Sequence, residues 1–320
     1  MSRYRPLTSA AFTFLLIAGC SPPDADEAAG PGPAATVAVP DIQALNAFYY
    51  YDDVEAAWAF YTDVLGFETV VDYGFAKILQ VAPASYLTLV NAADGMHAST
   101  EPKSVTLAIV TKQVEAWYDH LVSQDVPMRS ELNMREGSAH DGFVAIDPEG
   151  YLLEFEWFND HPENEGLTPQ LANIEPVRTE IGSRPPELGV HATVLWLYYD
   201  DLAPLQDFYE RLLGADLLVD QGWAKVYPVS RTGHIGLVDA SRGLHQATTD
   251  KAVTLSFITS DVDGWLARTR ALGVELRSGE IGSESGLVRT LVGYDPDGYF
   301  LEWDTFLDLE GNERLIELLR

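Results

Sequence analysis

Asp147-Pro148-Glu149-Gly150-Tyr151-Leu152-Leu153-Glu154 recurs as Asp295-Pro296-Asp297-Gly298-Tyr299-Phe300-Leu301-Glu302, 148 residues further along the 320-residue chain. Each copy joins a turn, with Pro at its second position and Gly at its fourth, to a strand-like run carrying one carboxylate among apolar residues. The same offset relates Tyr50-Tyr51-Asp52-Asp53 to Tyr198-Tyr199-Asp200-Asp201, Phe60-Tyr61 to Phe208-Tyr209, and Leu65-Gly66 to Leu213-Gly214. It also relates Ala76-Lys77 to Ala224-Lys225, Gly95-Met96-His97 to Gly243-Leu244-His245, Val105-Thr106-Leu107 to Val253-Thr254-Leu255, and Trp117 to Trp265. A register held without net gaps over so many landmarks makes the chain two copies of one domain.

Within the first copy, Ala44 to Tyr51 alternates as a strand, and Asp53 opens a helix whose apolar residues Val54, Ala57, Trp58, Tyr61 and Leu65 follow the helical period. Strand-like runs follow at Thr69 to Asp72, Phe75 to Val81 and Tyr86 to Asn91. The order then restarts with a strand at Val105 to Val110, a helix at Val114 to Ser123, and strands ending in Gly142 to Ile146 and Tyr151 to Trp157. The fold class is therefore α+β, built from four βαβββ modules in two tandem domains at 41–159 and 189–320. Residues 160–188, with Pro185-Pro186, read as a stiff linker.

The N-terminus reads as an export signal. Arg3 and Arg5 precede an apolar run from Ala10 to Ala18 that is too short to span a bilayer. Leu16-Ile17-Ala18-Gly19-Cys20 resembles a bacterial lipobox, which implies a signal peptide over 1–19 and acylation of Cys20. Residues 20–40, rich in Pro, Ala, Gly and Asp, then form a flexible tether on the mature envelope protein. Cys20 is the chain's one cysteine, so an internal disulfide, a Cys-only zinc site and an iron–sulfur cluster are excluded. The formal charge of −29 repels a phosphate backbone, so nucleic acid is excluded as a partner and membrane contact is expected through the lipid alone.

The element order, the Phe-Tyr-x₃-Leu-Gly start and the Asp-Pro-x-Gly-Tyr-x-x-Glu end together resemble the vicinal oxygen chelate superfamily. Its members include glyoxalase I, extradiol dioxygenases, and fosfomycin and bleomycin resistance proteins. The resemblance implies paired modules that wrap a cup, with metal ligands in its metalloenzymes drawn from the first and last strands of each module. At those positions this chain carries Asn46 and Val194, Thr88 and Gly236, Thr106 and Thr254, and Glu154 and Glu302. One carboxylate per cup does not make the three protein ligands of a typical catalytic site, so no metal cofactor is favoured.

An alternative reading, a metal-dependent lyase or dioxygenase-like enzyme, uses strand parity to gather His234, Glu302 and Asp304 into a displaced Fe, Mn or Zn site in the second domain. His191 is a weaker candidate for the same cup. If modules pair within each domain, parity points Phe48, Tyr50, Tyr86 and Thr88 into a first cup and Trp196, Tyr198, His234 and Ser256 into a second. Asn46, Thr106, Glu154, Thr254 and Glu302 complete the candidate ligand-binding set. Aromatic walls with a few hydroxyls suit a small organic ligand, or else simply fill the cups. Glu154 and Glu302 need partners, and Thr106 and Thr254 are candidates to supply them. The Asp-Pro-x-Gly segments read as turns, His97 and His245 as loop packing or a pocket mouth, and Lys77 and Lys225 as solvated residues or an anion contact.

Overall fold

A computed structural model describes residues 37–320. The lipobox, Cys20 and most of the tether lie outside the described residues. The first module contains β1 (Ala44–Tyr51), α1 (Val54–Ala59), β2 (Glu68–Asp72), β3 (Ala76–Ala82) and β4 (Ser85–Asn91). The second contains β5 (Val105–Val110), α2 (Val114–Ser123), β6 (Met128–Asn133), β7 (His140–Ile146) and β8 (Leu152–Phe158), and is followed by the short α3 (Thr168–Leu171). The third contains β9 (Ala192–Tyr199), α4 (Ala203–Leu213), β10 (Val219–Asp220), β11 (Ala224–Pro228) and β12 (Gly233–Asp239). The fourth contains β13 (Val253–Ile258), α5 (Val262–Leu272), β14 (Glu275–Leu276), β15 (Gly282–Glu284), β16 (Val288–Tyr294) and β17 (Phe300–Phe306), and ends in α6 (Glu313–Leu319).

The module order follows the sequence reading, but the pairing of modules does not. One sheet runs β14-β16-β17-β13-β1-β4-β3-β2 and joins module 1 to module 4. The other runs β10-β11-β12-β9-β5-β8-β7-β6 and joins module 3 to module 2. The seams are antiparallel, from Ala44↔Ile258 to Tyr49↔Val253 in the first sheet and from Val105↔Leu197 to Val110↔Ala192 in the second. Pairing within each domain is thus overturned: each cup takes one module from each half of the chain. Register is fixed by which face of a strand is apolar, and duplicated modules present equivalent edges, so the pattern alone does not choose between partners.

The faces of both sheets opposite the cups meet in one core, where Tyr49, Tyr51, Leu255 and Phe257 share a cluster with Leu107, Leu195, Leu197 and Tyr199 and with Trp117 and Trp265 from α2 and α5. Asp53 caps α1 by accepting from Ala56 N, and Asp261 caps α5 by accepting from Gly264 N.

The repeated turn proves to be a structural hub. Asp147 accepts from Tyr51 Oη at 2.6 Å, from Tyr61 Oη at 3.0 Å, and from the backbone N–H groups of Glu149 and Tyr151. Tyr151 Oη accepts from Tyr50 N at 2.8 Å and donates to Ala252 O at 2.6 Å. Those two backbone groups lie just past the last β1–β13 pair, so a side chain from module 2 finishes the seam between modules 1 and 4. In the copy, Asp295 accepts from Tyr199 and Tyr209, and Tyr299 Oη accepts from Tyr198 N and donates to Ser104 O.

The 160–188 segment is packed against the body. Leu167, Leu171 and Leu188 are buried, and Arg184 donates to the carbonyls of Val177 and Leu188 while lying over the Trp117 ring.

Candidate functional site

On the sheet face away from the shared core, modules 1 and 4 enclose a cavity of about 300 Å³, and modules 2 and 3 enclose one of about 150 Å³. The larger cup is walled by Phe48, Tyr50, Tyr73, Phe75 and Phe306, with Ile78, Val90, Val288 and Val292 between the rings. Thr88, Thr290, Glu302 and Asp304 are its inner polar residues, and Asp94, Arg277 and Glu284 also border it. The smaller cup repeats the plan with Trp196, Tyr198, Trp223 and Phe158 around Glu154 and Glu156, and adds His140, Gln221 and Arg242.

One pair of positions differs between the cups in a way that narrows the smaller one. Phe48 and Thr88 are register partners across β1 and β4, and Trp196 and Gly236 occupy the equivalent positions across β9 and β12. The Trp196 indole lies directly against Gly236, where a Cβ would run into the ring. The smaller cup is therefore partly filled by its own indole.

Of the candidate residues read from the sequence, Phe48, Tyr50, Thr88 and Glu302 line the larger cup and Glu154, Trp196 and Tyr198 the smaller. Others lie beneath the linings as buried supports. Thr88 Oγ1 donates to Asn46 Oδ1 at 3.0 Å, Tyr50 Oη bonds Thr254 Oγ1 at 2.8 Å, and Tyr198 Oη bonds Thr106 Oγ1 at 2.8 Å. Thr106 and Thr254 thus partner the cup tyrosines and not Glu154 and Glu302. Ser256 donates to Asp304 Oδ2 at 2.6 Å. Tyr86, expected in the first cup, is buried in a cluster with Ile258, Phe306 and Leu315 of α6 and does not line the cavity.

The displaced metal triad is not brought together. Glu302 and Asp304 lie on β17 in one sheet, whereas His234 lies on β12 in the other, buried, with Nδ1 donating to Thr193 O at 3.0 Å. Burial pushes His234 down to about 4, which keeps the ring neutral. His191 rests edge-on against Trp157 and is likewise pushed down to about 4 by burial.

The repeated loop histidines are packing elements beside the cups. Gly95 and Gly243 lie flat on the rings of Tyr50 and Tyr198, and His97 and His245 meet those rings edge-on at 4.9 Å. Lys77 is buried and ion-paired to Asp72 and Glu55 over the Trp58 ring, and Lys225 is paired to Asp220, so neither is held out for an anion.

Each cup holds a carboxyl pair, two residues apart on the final strand: Glu302 with Asp304, as parity placed them, and Glu154 with Glu156, of which Glu156 was unforeseen. Thr290 Oγ1 donates to Glu302 Oε1 at 2.6 Å. Burial raises all four acids, Glu154 to about 7 and Asp304 to about 6, while Glu156 and Glu302 also feel the charge of their neighbours and stand well above the ordinary carboxylate range. The Trp196 N–H moderates the shift of Glu154 and Glu156 but forms no well-aligned hydrogen bond. The repeat offset maps Asp304 onto Glu156, and parity along β17 places Phe306 on the same face, so both were accessible signals. Phe75 and Trp223, beside the repeated lysines, were also legible as a repeated aromatic.

Whether these cups suit a divalent metal is decided by their donors. In the larger cup the family's ligand positions hold Asn46, Thr88, Thr254 and Glu302, and the first three are engaged in hydrogen bonds with one another or with Tyr50. Among the described residues no group of three or more His, Cys, Asp or Glu side chains converges as a metal cluster. A single carboxylate at four positions does not fit a site that needs three protein ligands.

Two cups formed by four βαβββ modules define the vicinal oxygen chelate class of fold. The family model described as the Glyoxalase/Bleomycin resistance protein/Dioxygenase superfamily matches residues 35–155 and 189–303, and the chain belongs to that superfamily. Glyoxalase I from Zea mays is similar at 17% identity and a TM-score of 0.56, covering 86% of this chain and 94% of that one. A putative dioxygenase from Bacillus subtilis is similar at 17% identity and a TM-score of 0.56, covering 85% of this chain and 86% of that one. These likenesses carry the fold alone. No curated protein sequence matches the chain.

Proposed function

We propose that this chain is a lipid-anchored binding protein of the cell envelope whose larger cup takes up a small, mainly apolar organic molecule without a metal at the family's ligand positions. The observation that carries the reading is the cavity of about 300 Å³ walled by five aromatic rings with a few polar groups at one place. That volume lies at the lower end of the range of small-molecule pockets, roughly 300–1,000 Å³, and the smaller cup falls below it. Aromatic rings hold flat or hydrophobic groups through burial and stacking, and the convergent hydroxyls and carboxyls set orientation.

Anchoring rests on Leu16-Ile17-Ala18-Gly19-Cys20. Among the described residues no helix is long and apolar enough to cross a membrane. A strongly acidic chain has little affinity for anionic lipid, so acyl chains on Cys20 would do the holding. Native mass spectrometry of the protein purified from cells tests both parts. An organic adduct removed by gentle activation supports binding, and a lipid mass increment lost in Cys20→Ser supports anchoring. A Cys20→Ser chain that remains in the membrane fraction contradicts the anchor.

A further inference from the structure

We infer that the larger cup selects organic cations: compact hydrophobic molecules with a protonated amine that Glu302 and Asp304 hold while the aromatic rings enclose the apolar remainder. This rests on the binding reading above and names its ligand class.

The acid pair is prepared for a donor that the protein does not supply. Ser256 serves Asp304 Oδ2 and Thr290 serves Glu302 Oε1, but Asp304 Oδ1, on a residue only 2% exposed, meets no N–H or O–H donor among the described residues. The nearby phenols are occupied elsewhere, Tyr50 with Thr254 and Tyr73 with Asn312. Burial and the repulsion between the two acids raise both, so the ligand-free pair favours keeping a proton over carrying two bare charges. A ligand that brings its own donors replaces that proton, which leaves to solvent.

Charge favours an ammonium over a neutral donor. The cavity is bordered by four carboxyl residues, Asp94, Glu284, Glu302 and Asp304, against the single guanidinium of Arg277. An ammonium carries three N–H donors, enough to reach both acids, and its charge-assisted hydrogen bonds are roughly twice as strong as neutral ones. The same charge is attracted to the faces of the surrounding rings. A carboxylate ligand would instead bring a like charge against the acid pair.

Calorimetric titration of the purified full chain at pH 7 with 2-phenylethylamine and with 2-phenylethanol, which share a carbon skeleton, tests the inference. The amine is expected to bind at least about tenfold more tightly than the alcohol. Its heat should vary with the ionisation enthalpy of the buffer, reporting proton release. In Glu302→Gln/Asp304→Asn, which keeps side-chain shape, the preference should vanish while the alcohol still binds. Asp304→Asn alone should reduce the preference if the double variant does not fold. Equal binding of alcohol and amine to the native chain overturns the cation assignment and leaves the binding reading standing. Binding of neither probe overturns that reading as well.

Discussion

Glu154 is a half-buried carboxylate lining the smaller cup, and its protonation links the cup to stability. Its folded-state value of about 7 lies above the ordinary 4.5, so ionisation is penalised in the folded state. Its contribution is full below about pH 4.5 and is lost as pH rises through about 7. His191, His234 and His245, each pushed down to about 4 from 6.5, act in the opposite direction between those values, so above pH 6.5 the slope from the raised acids remains. Glu154→Gln should therefore unfold at higher temperature than the native chain at pH 8, by roughly 1–2 kcal/mol, and lose that advantage at pH 4. Thermal unfolding at the two pH values checks this, and no gain at pH 8 would contradict the burial argument. The need of Glu154 and Glu302 for a partner or a wet cavity was legible in the sequence, because each is a carboxylate in an apolar run. Which hydroxyl serves Glu302 was not, since Thr290 belongs to a neighbouring strand whose register only the fold supplies.

At the scale of elements, strands β9 and β12 are fitted to each other through Trp196 and Gly236. Gly236→Ala should destabilise the protein by about 2–4 kcal/mol, because the indole must leave its position or the backbone must move. Combining it with Trp196→Phe, which restores the ring size found at Phe48, should recover most of the loss. Urea unfolding of the two single variants and the double variant measures the coupling, and simple additivity would contradict it. The turn and strand of the opening motif show a different limit of the sequence. Pro and Gly spacing identified the turn, but the role of Tyr151 in closing the β1–β13 seam depends on contacts between modules about 100 residues apart. Recurrence marked Tyr50, Tyr51, Tyr61 and Asp147 as important, and the hydrogen bonds explain why they recur together.

For the whole molecule, the duplication, the four modules and the fold class followed from pattern, whereas the pairing across the halves did not. The consequence is that neither half owns a complete cup. Residues 37–174 expressed alone would leave the β1 and β5 edges unpaired, and should self-associate or aggregate in light scattering, while a folded monomer would contradict the swapped pairing. The central claim is that the space between modules 1 and 4 is a binding site and not unfilled packing. Phe48→Trp combined with Thr88→Gly and Asn46→Val copies into the larger cup the Trp196, Gly236 and Val194 arrangement of the smaller one. Removing Asn46 avoids leaving its buried amide without the Thr88 hydroxyl, so the fold should tolerate the change while the cavity closes. The most direct test is ligand-observed NMR of small aromatic fragments against the native chain and this triple variant. Fragment signals should appear with the native chain and disappear in a variant of similar melting temperature; equal signals from both proteins would contradict a binding site between modules 1 and 4.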